Sequence, residues 1–277
     1  MTMLPLAMLM LAAAAPAAQP ATGEAETLRQ ASALHFAPPL DEPLILTRRM
    51  ERETRGGPFV LTARYRLTFS PFGRGYRLRV EQISHAVDGP AELLRMLALG
   101  DQLIERETLV FTLAADGAIL GVSEEPDAAH RLAEAIGRLR ADRAYAALDD
   151  ATRTAFDGYL DRLANMDAAA RGELAAGRIA PLLDLAGQAL APASAEGRSG
   201  LVFRITGEDA AWLHLSASAA SVAGPSTSRT EVVASLSRDH GILWNFERRI
   251  ATEAGPASRS TYENLALSRE SDAIAQR

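Results

Sequence analysis

The stretch Phe59-Val60-Leu61-Thr62-Ala63-Arg64-Tyr65-Arg66-Leu67-Thr68-Phe69 decides how the rest of the chain is read. Phe59, Leu61, Ala63, Tyr65, Leu67 and Phe69 occupy the odd positions, while Thr62, Arg64, Arg66 and Thr68 fill most of the even ones. Side chains alternate faces along a strand, so this pattern predicts one apolar and one largely wet face. At about 3.4 Å per residue the segment spans roughly 35 Å, longer than an ordinary strand. A strand of that length needs partners along both edges and a cover over its apolar side.

The flanking sequence supplies partners. Leu44–Thr54 reads as a preceding strand, ended by Gly56-Gly57-Pro58. Ser70–Gly75 is a turn rich in Gly and Pro, and Tyr76–Ile83 returns as a strand. Closing that hairpin symmetrically places Phe69 opposite Tyr76, Leu67 opposite Leu78, Tyr65 opposite Val80 and Arg66 opposite Arg79. Facing arginines are unfavourable without an acid between them; Glu51, Glu53 and Glu81 are the candidates. Ala91–Leu99 reads as a short helix. Thr108–Leu113 and Ala118–Val122 flank Asp116-Gly117, a strong hairpin signal.

Beyond Pro126 the pattern changes. Pro126–Leu190 is rich in Ala, Leu, Arg and acids, with Leu132, Ile136 and Leu139 at helical spacing. A second helix is expected near Ala151–Met166. A third is expected over Ala168–Leu190, capped by Asp167 and interrupted around Gly177–Pro181. Strands then resume at Leu201–Thr206, Trp212–Ala217, Glu231–Arg238, Ile242–Ile250 and Arg259–Leu267, with Ser221–Ser228 read as a loop and Asp239-His240-Gly241 as a turn. Runs of strands on either side of helices predict an α+β fold: a curved antiparallel sheet of about ten strands in two meanders, with the inserted helical block packed on its apolar face. The expected organisation is a signal peptide over 1–18, an extended lead-in over 19–40, and one α+β domain over 41–270. Within it, 41–123 form the first meander, 124–192 the helical block and 193–270 the second meander. The tail after Ser268, and 271–277 above all, is expected to fray.

Composition narrows the function. Met3–Ala15 is an apolar run too short to span a bilayer, followed by small residues. It has the layout of a secretory signal peptide cleaved near Ala17/Ala18, although no basic residue precedes it. The expected location is the periplasm or outside the cell, with no transmembrane span in the mature chain. The 277 residues include no cysteine, which removes disulfides, thiol nucleophiles and thiolate metal sites. Every basic residue is arginine, so Schiff-base and Walker lysines are impossible. A net charge of −6 argues against a general nucleic-acid binder.

No motif points to catalysis. His35, His85, His130, His214 and His240 stand at no metal-ligand spacing, and there is no GxSxG elbow, SxxK or glycine-rich nucleotide loop. Glu124-Glu125 and Asp149-Asp150 flank helix ends, where capping accounts for them. No enzyme activity, cofactor or metal is expected. Two surfaces stand out. The apolar sides of the strands offer Tyr65, Leu67, Phe69, Tyr76, Leu78, Trp244 and Phe246, either as a ligand lining or as packed core. Residues 48–79 hold nine arginines against two glutamates. Arg64, Arg66, Arg77 and Arg79 are the expected centre of an anion- or partner-binding patch, the other reading being a solvated sheet face.

The order of elements resembles the periplasmic lipoprotein-carrier half-barrels of the LolA/LppX type. These share a signal peptide, a long antiparallel meander, inserted helices and a second meander. The segment Val110–Leu120, with its strand–turn–strand at Ala115-Asp116-Gly117, also resembles one recurring in exported half-barrels. The resemblance implies an acyl-chain or other lipid-like ligand held between sheet and helices, and it assigns no individual residue a role. The function expected is therefore a non-enzymatic exported protein that binds or carries a hydrophobic ligand. The alternative is an envelope interaction or assembly protein that engages a protein partner through its arginine-rich face.

Overall fold

The computed structural model describes residues 32–54, 57–91, 94, 108–123, 128–191, 193–224, 226–254 and 257–275. The expected signal peptide lies outside them, as does all of the helix expected over Ala91–Leu99 except Ala91 and Leu94, which are both helical. The first meander comprises β2 (Leu44–Thr54), β3 (Gly57–Phe72), β4 (Gly75–Asp88), β5 (Thr108–Leu113) and β6 (Ile119–Ser123). The second comprises β9 (Val202–Glu208), β10 (Trp212–Ala223), β11 (Ser226–Ser237), β12 (Leu243–Ala254) and β13 (Ala257–Arg269). Three short strands, β1 (Ser32–Ala33), β7 (Ala189–Ala191) and β8 (Ser194–Glu196), extend the second group. All thirteen form one open sheet in the order β1-β7-β8-β9-β10-β11-β12-β13-β2-β3-β4-β5-β6. The last strand of the chain thus pairs with the first long one, with Leu267 opposite Leu46 and Leu265 opposite Arg48. Bulges in the β3–β4, β5–β6, β9–β10 and β11–β12 pairs bend the sheet.

The alternation in Phe59–Phe69 is obeyed: Phe59, Ala63, Tyr65, Leu67 and Phe69 are buried and the intervening residues are not. The hairpin register differs from the symmetric closure by two residues. Phe69 faces Leu78, Leu67 faces Val80, Tyr65 faces Gln82 and Arg66 faces Glu81. The cause is the turn. The strands run on through Pro71-Phe72, and only Gly73-Arg74 are left to reverse the chain, with Gly73 at φ 60°. The facing-arginine problem therefore never arises. Ser221–Ser228, expected as a loop, is instead the tip of the long β10–β11 hairpin; its small polar residues pair in register as far as Ala223 and Ser226.

The helical block divides in two. Helices α1 (Ala128–Arg140), α2 (Arg143–Ala146) and α3 (Asp150–Asn165) bury Ile136, Leu139, Tyr145, Phe156 and Leu160 against one another in a cluster of their own. Arg140 bridges α1 to Asp157 and Asp161 of α3 at 3.0 and 2.7 Å. The sheet's apolar face is covered by the later part. Helix α4 (Ala168–Ala176), capped by Asp167, packs on β6, and a 3-10 turn at Ala180–Leu183 packs on β12. Ile179, Leu182, Leu183, Leu185 and Ala186 join the main core. The expected third helix ends well short of Leu190, because Pro181 cannot continue it and Ala189–Ala191 pairs as β7.

Two segments read as peripheral are structural. Leu34 and Phe36 of the lead-in are buried, and the Phe36 ring meets Phe69 and Tyr76 edge-on at 6.3 and 5.3 Å. At the other end β13 continues to Arg269, followed by α5 (Glu270–Ala275), so the stretch just past Ser268 does not fray. Helix α5 packs on the outer side of β13 and β2, and the Glu270 N–H donates to Pro43 O at 3.1 Å.

The turns at one end of the sheet are tied together. Ala37 N–H donates to His240 O and the Gly241 N–H to Ser237 O. Arg198 reaches Asp116 at 3.1 Å and donates to the carbonyls of Asp116 and Ala186. Gly241 sits at φ 62°, and a Cβ there would collide with the His35 carbonyl oxygen; Gly224 has φ 59° but open space around it. Left-handed backbone alone costs a residue with a side chain about 1–2 kcal/mol. Gly224→Ala is expected to lose about that much in urea unfolding. Gly241→Ala should lose clearly more, because the lead-in must also shift.

Candidate functional surfaces on the two faces of the sheet

Rows of side chains across the inner face show how its character changes from one end to the other. Near the tied turns the row Leu44, Leu67, Val80, Leu109 is fully buried. Further along, Leu215, Ala234, Phe246, Leu265, Arg48 and Ala63 stand side by side, followed by Ala217, Val232, Arg248, Glu263, Met50, Leu61 and Val87. In that second row Ala217, Val232 and Glu263 are buried, while Arg248, Met50, Leu61 and Val87 are half-buried. Beyond it stand Ala219, Thr230, Ile250, Thr261, Arg52 and Phe59, the last of them buried. The apolar surface therefore runs out along β10–β13 and β2, while on β3 it continues past the half-buried Leu61 to the buried Phe59.

Glu263 marks the boundary. It is 4% exposed and lies between two arginines, with Arg48 at 2.7 Å and Arg248 at 2.5 Å. A carboxylate that buried needs both: each guanidinium repays part of the cost of removing the charge from water. The sequence hides this group, because Arg48 and Glu263 are far apart in the chain and each falls within an amphipathic strand.

Six of the seven residues expected to line a ligand site come together on this face; Trp244 falls in the β11–β12 bulge, out of phase with Phe246, and its ring meets that of Trp212. Leu67, Phe69, Leu78 and Phe246 are at most 2% exposed and Tyr65 is buried; Tyr76 and Trp244 pack against the margin. They belong to the same core cluster as Leu182, Leu183 and Phe36. Met50, Leu61 and Val87, which keep part of their surface open, were not singled out in the sequence. The available signal was their phase in the strand alternation, together with the polar residues following them.

The four arginines of the expected patch also come together, on the outer face. Arg64 and Arg66 project from β3 and Arg77 and Arg79 from β4, where Thr68 pairs with Arg79 and Ser70 with Arg77. Arg66, Arg77 and Arg79 line an open groove of about 660 Å³, with Thr68, Ser70 and Thr108 contributing hydroxyls. Asp41 and Glu81 border it. The Arg66 guanidinium is held by Glu270 at 2.6 Å and Glu81 at 3.5 Å. The hydrogen bond to Glu270 is the main reason its pKa lies above the ordinary value. A second depression, of about 520 Å³, lies on the same face along β11–β12–β13–β2. There Arg249 stacks over Tyr262 and Arg229 pairs with Glu231.

The groups considered for chemistry do not converge. Among the described residues no three of His, Cys, Asp and Glu stand close enough to hold a metal ion. Asp149 caps α3, accepting from the N–H groups of Ala151 and Thr152. The Thr152 hydroxyl is the chief cause of its lowered carboxyl pKa. His240 stacks on Trp244 and contacts Ala37 O through Nδ1 at 3.0 Å. Among the described residues no helix is long and apolar enough to cross a membrane.

No protein-family model matches the sequence, and no curated protein matches it. Among solved structures, a lipovitellin studied for lipid–protein interactions is similar over 84% of this chain and 25% of its own, at 8% identity and a TM-score of 0.44. A putative AttH from Nitrosomonas europaea is similar over 91% of this chain and 58% of its own, at 9% identity and a TM-score of 0.19. This chain thus spans a quarter of the first and somewhat over half of the second, and likeness at these scores carries no argument about function.

The Arg48–Glu263–Arg248 group makes a stability prediction. Glu263→Ala leaves two arginines facing without their shared counter-charge, and should cost about 3 kcal/mol, the low end for buried pairs because both arginines retain solvent contact. The triple replacement Arg48→Met, Glu263→Leu, Arg248→Met should be close to neutral. Chemical denaturation of the three proteins checks both.

Proposed function

We propose that this chain is a non-enzymatic exported protein, acting in the bacterial periplasm, that binds or carries a hydrophobic, lipid-like ligand against the inner face of its sheet. The observation that carries the reading is that this face outruns its described cover. Met50, Leu61 and Val87 stand in one row next to the closed core, in phase with Tyr65 and Leu67, yet remain only half-buried. The Arg48–Glu263–Arg248 group lies directly beside them. An apolar strip ending at fixed charges suits an amphiphile, whose chain gains from burial and whose polar end stays near arginine. The export part rests on the apolar run Met3–Ala15 and the small residues after it. The non-enzymatic part rests on the lack of any catalytic motif in the sequence.

The test is to express the full chain in a bacterium, purify it from the periplasm without detergent, and record its native mass spectrum. The expected result is a chain cleaved near Ala17/Ala18 that carries a lipid-sized adduct removable by organic solvent. Leu61→Glu and Met50→Glu should lower the occupancy at least about fivefold, as placing a carboxylate in an apolar contact predicts. Their unfolding transition should stay cooperative, since both sites are half open. A ligand-free mass, together with no uptake of a fluorescent fatty-acid analogue, would sink the proposal.

A further inference from the structure

The outer-face groove combines features that the inner-face reading leaves unused. Arg77 and Arg79 are two residues apart on β4, so they project to the same side with Cα atoms about 7 Å apart. Opposite them on β3 stand Ser70 and Thr68, whose hydroxyls also line the groove. Neither arginine makes an ion pair among the described residues. Arg77 instead lies over the Phe72 ring at 4.2 Å, a stacking that holds its guanidinium plane while leaving its N–H edge available. Arg66, at the far side, differs: its charge is shared between Glu270 and Glu81. Glu270 is the first residue of helix α5, so one of the three groove arginines is held by a carboxylate from that helix.

We propose that this groove binds a phosphate-type oxyanion between Arg77 and Arg79, and that Glu270 competes with it for Arg66 as an internal counter-ion. A phosphate group fits the donor set better than a carboxylate. Two guanidinium forks and two hydroxyls exceed what two carboxylate oxygens accept, whereas phosphate presents three strong acceptors. Asp41 and Glu81 oppose an anion and keep the site weak while Glu270 is in place. When an anion takes Arg66, Glu270 loses its partner and α5 loses one of its ties to the outer face. The Glu270 N–H bond to Pro43 O remains. The site lies on the opposite side of the sheet from the proposed hydrophobic ligand and stands or falls separately.

The experiment uses the full mature chain with two probes: inorganic phosphate by titration calorimetry at low ionic strength, and flotation with vesicles of phosphatidylglycerol in phosphatidylcholine. The double variant Arg77→Gln, Arg79→Gln should weaken binding about tenfold or more, as loss of two charge-assisted donors predicts. Both side chains are exposed, so its thermal unfolding midpoint should match that of the parent. Glu270→Gln should tighten binding about threefold or more by freeing Arg66, with Arg229→Gln on the neighbouring depression unchanged. Binding of free phosphate alone identifies a soluble ligand, and binding of the anionic vesicles alone a lipid headgroup; either supports the site. No binding of either probe, or equal binding by the Arg77/Arg79 double variant, overturns it. Capture of poly-glutamate with neither phosphate probe bound also overturns it, in favour of an acidic protein partner.

Discussion

The pairing of β13 with β2 holds this molecule together. Without it the sheet would split into a five-stranded half and an eight-stranded half, each with an open edge at the break. Leu267 opposite Leu46, and Leu265 opposite Arg48, merge the two faces into one continuous surface. The seam is bonded on both sides. On the inner face Glu263 of β13 pairs with Arg48 of β2 and Arg248 of β12. On the outer face Glu270 ties α5 to Arg66; at the strand ends Arg269 pairs with Glu42 and the Glu270 N–H reaches Pro43 O. Joining segments more than two hundred residues apart costs little more loop entropy than a shorter closure, because that cost grows only logarithmically. The area of shared apolar face then repays it.

The merged sheet is uneven along its strands. At one end the chain's reversals interlock with Phe36 and the Leu182–Leu185 segment, and nearly every inner-face residue is closed off. At the other, the β10–β11 tip exposes Val222 and most of its neighbours. A chain with only 5% aromatic residues has limited bulk to bury, and it concentrates that bulk around Phe36, Phe69, Phe111, Phe203 and Phe246. The Arg48–Glu263–Arg248 group stands where the apolar supply ends. It lets the strands continue past the core without leaving a lone buried charge.

Much of this was legible locally. The alternation in Phe59–Phe69, the Asp116-Gly117 reversal, the cap at Asp167 and the break at Pro181 all appear where the sequence places them. Each depends on neighbours within four residues, and local sterics and hydrogen bonding settle such features. The β3–β4 register was misread because Pro71 and Phe72 look like turn residues yet complete the ladder, which moves Glu81 rather than Arg79 opposite Arg66. The four patch arginines were legible as a cluster. Their division into Arg66, held by acids, and Arg77 and Arg79, which are not, depended on a helix at the far terminus.

Two sets of one-faced strands around a helical insert follow from adjacent residues alone, because a period of two or 3.6 is written there. Long-range packing is what seals β13 against β2, closes the core with Leu34–Phe36 and Ile179–Ala186 rather than α1–α3, and brings two arginines to Glu263. Several amphipathic segments were equally able to cover the same face by pattern alone. The choice among them rests on shape and chain connectivity, which no local window contains.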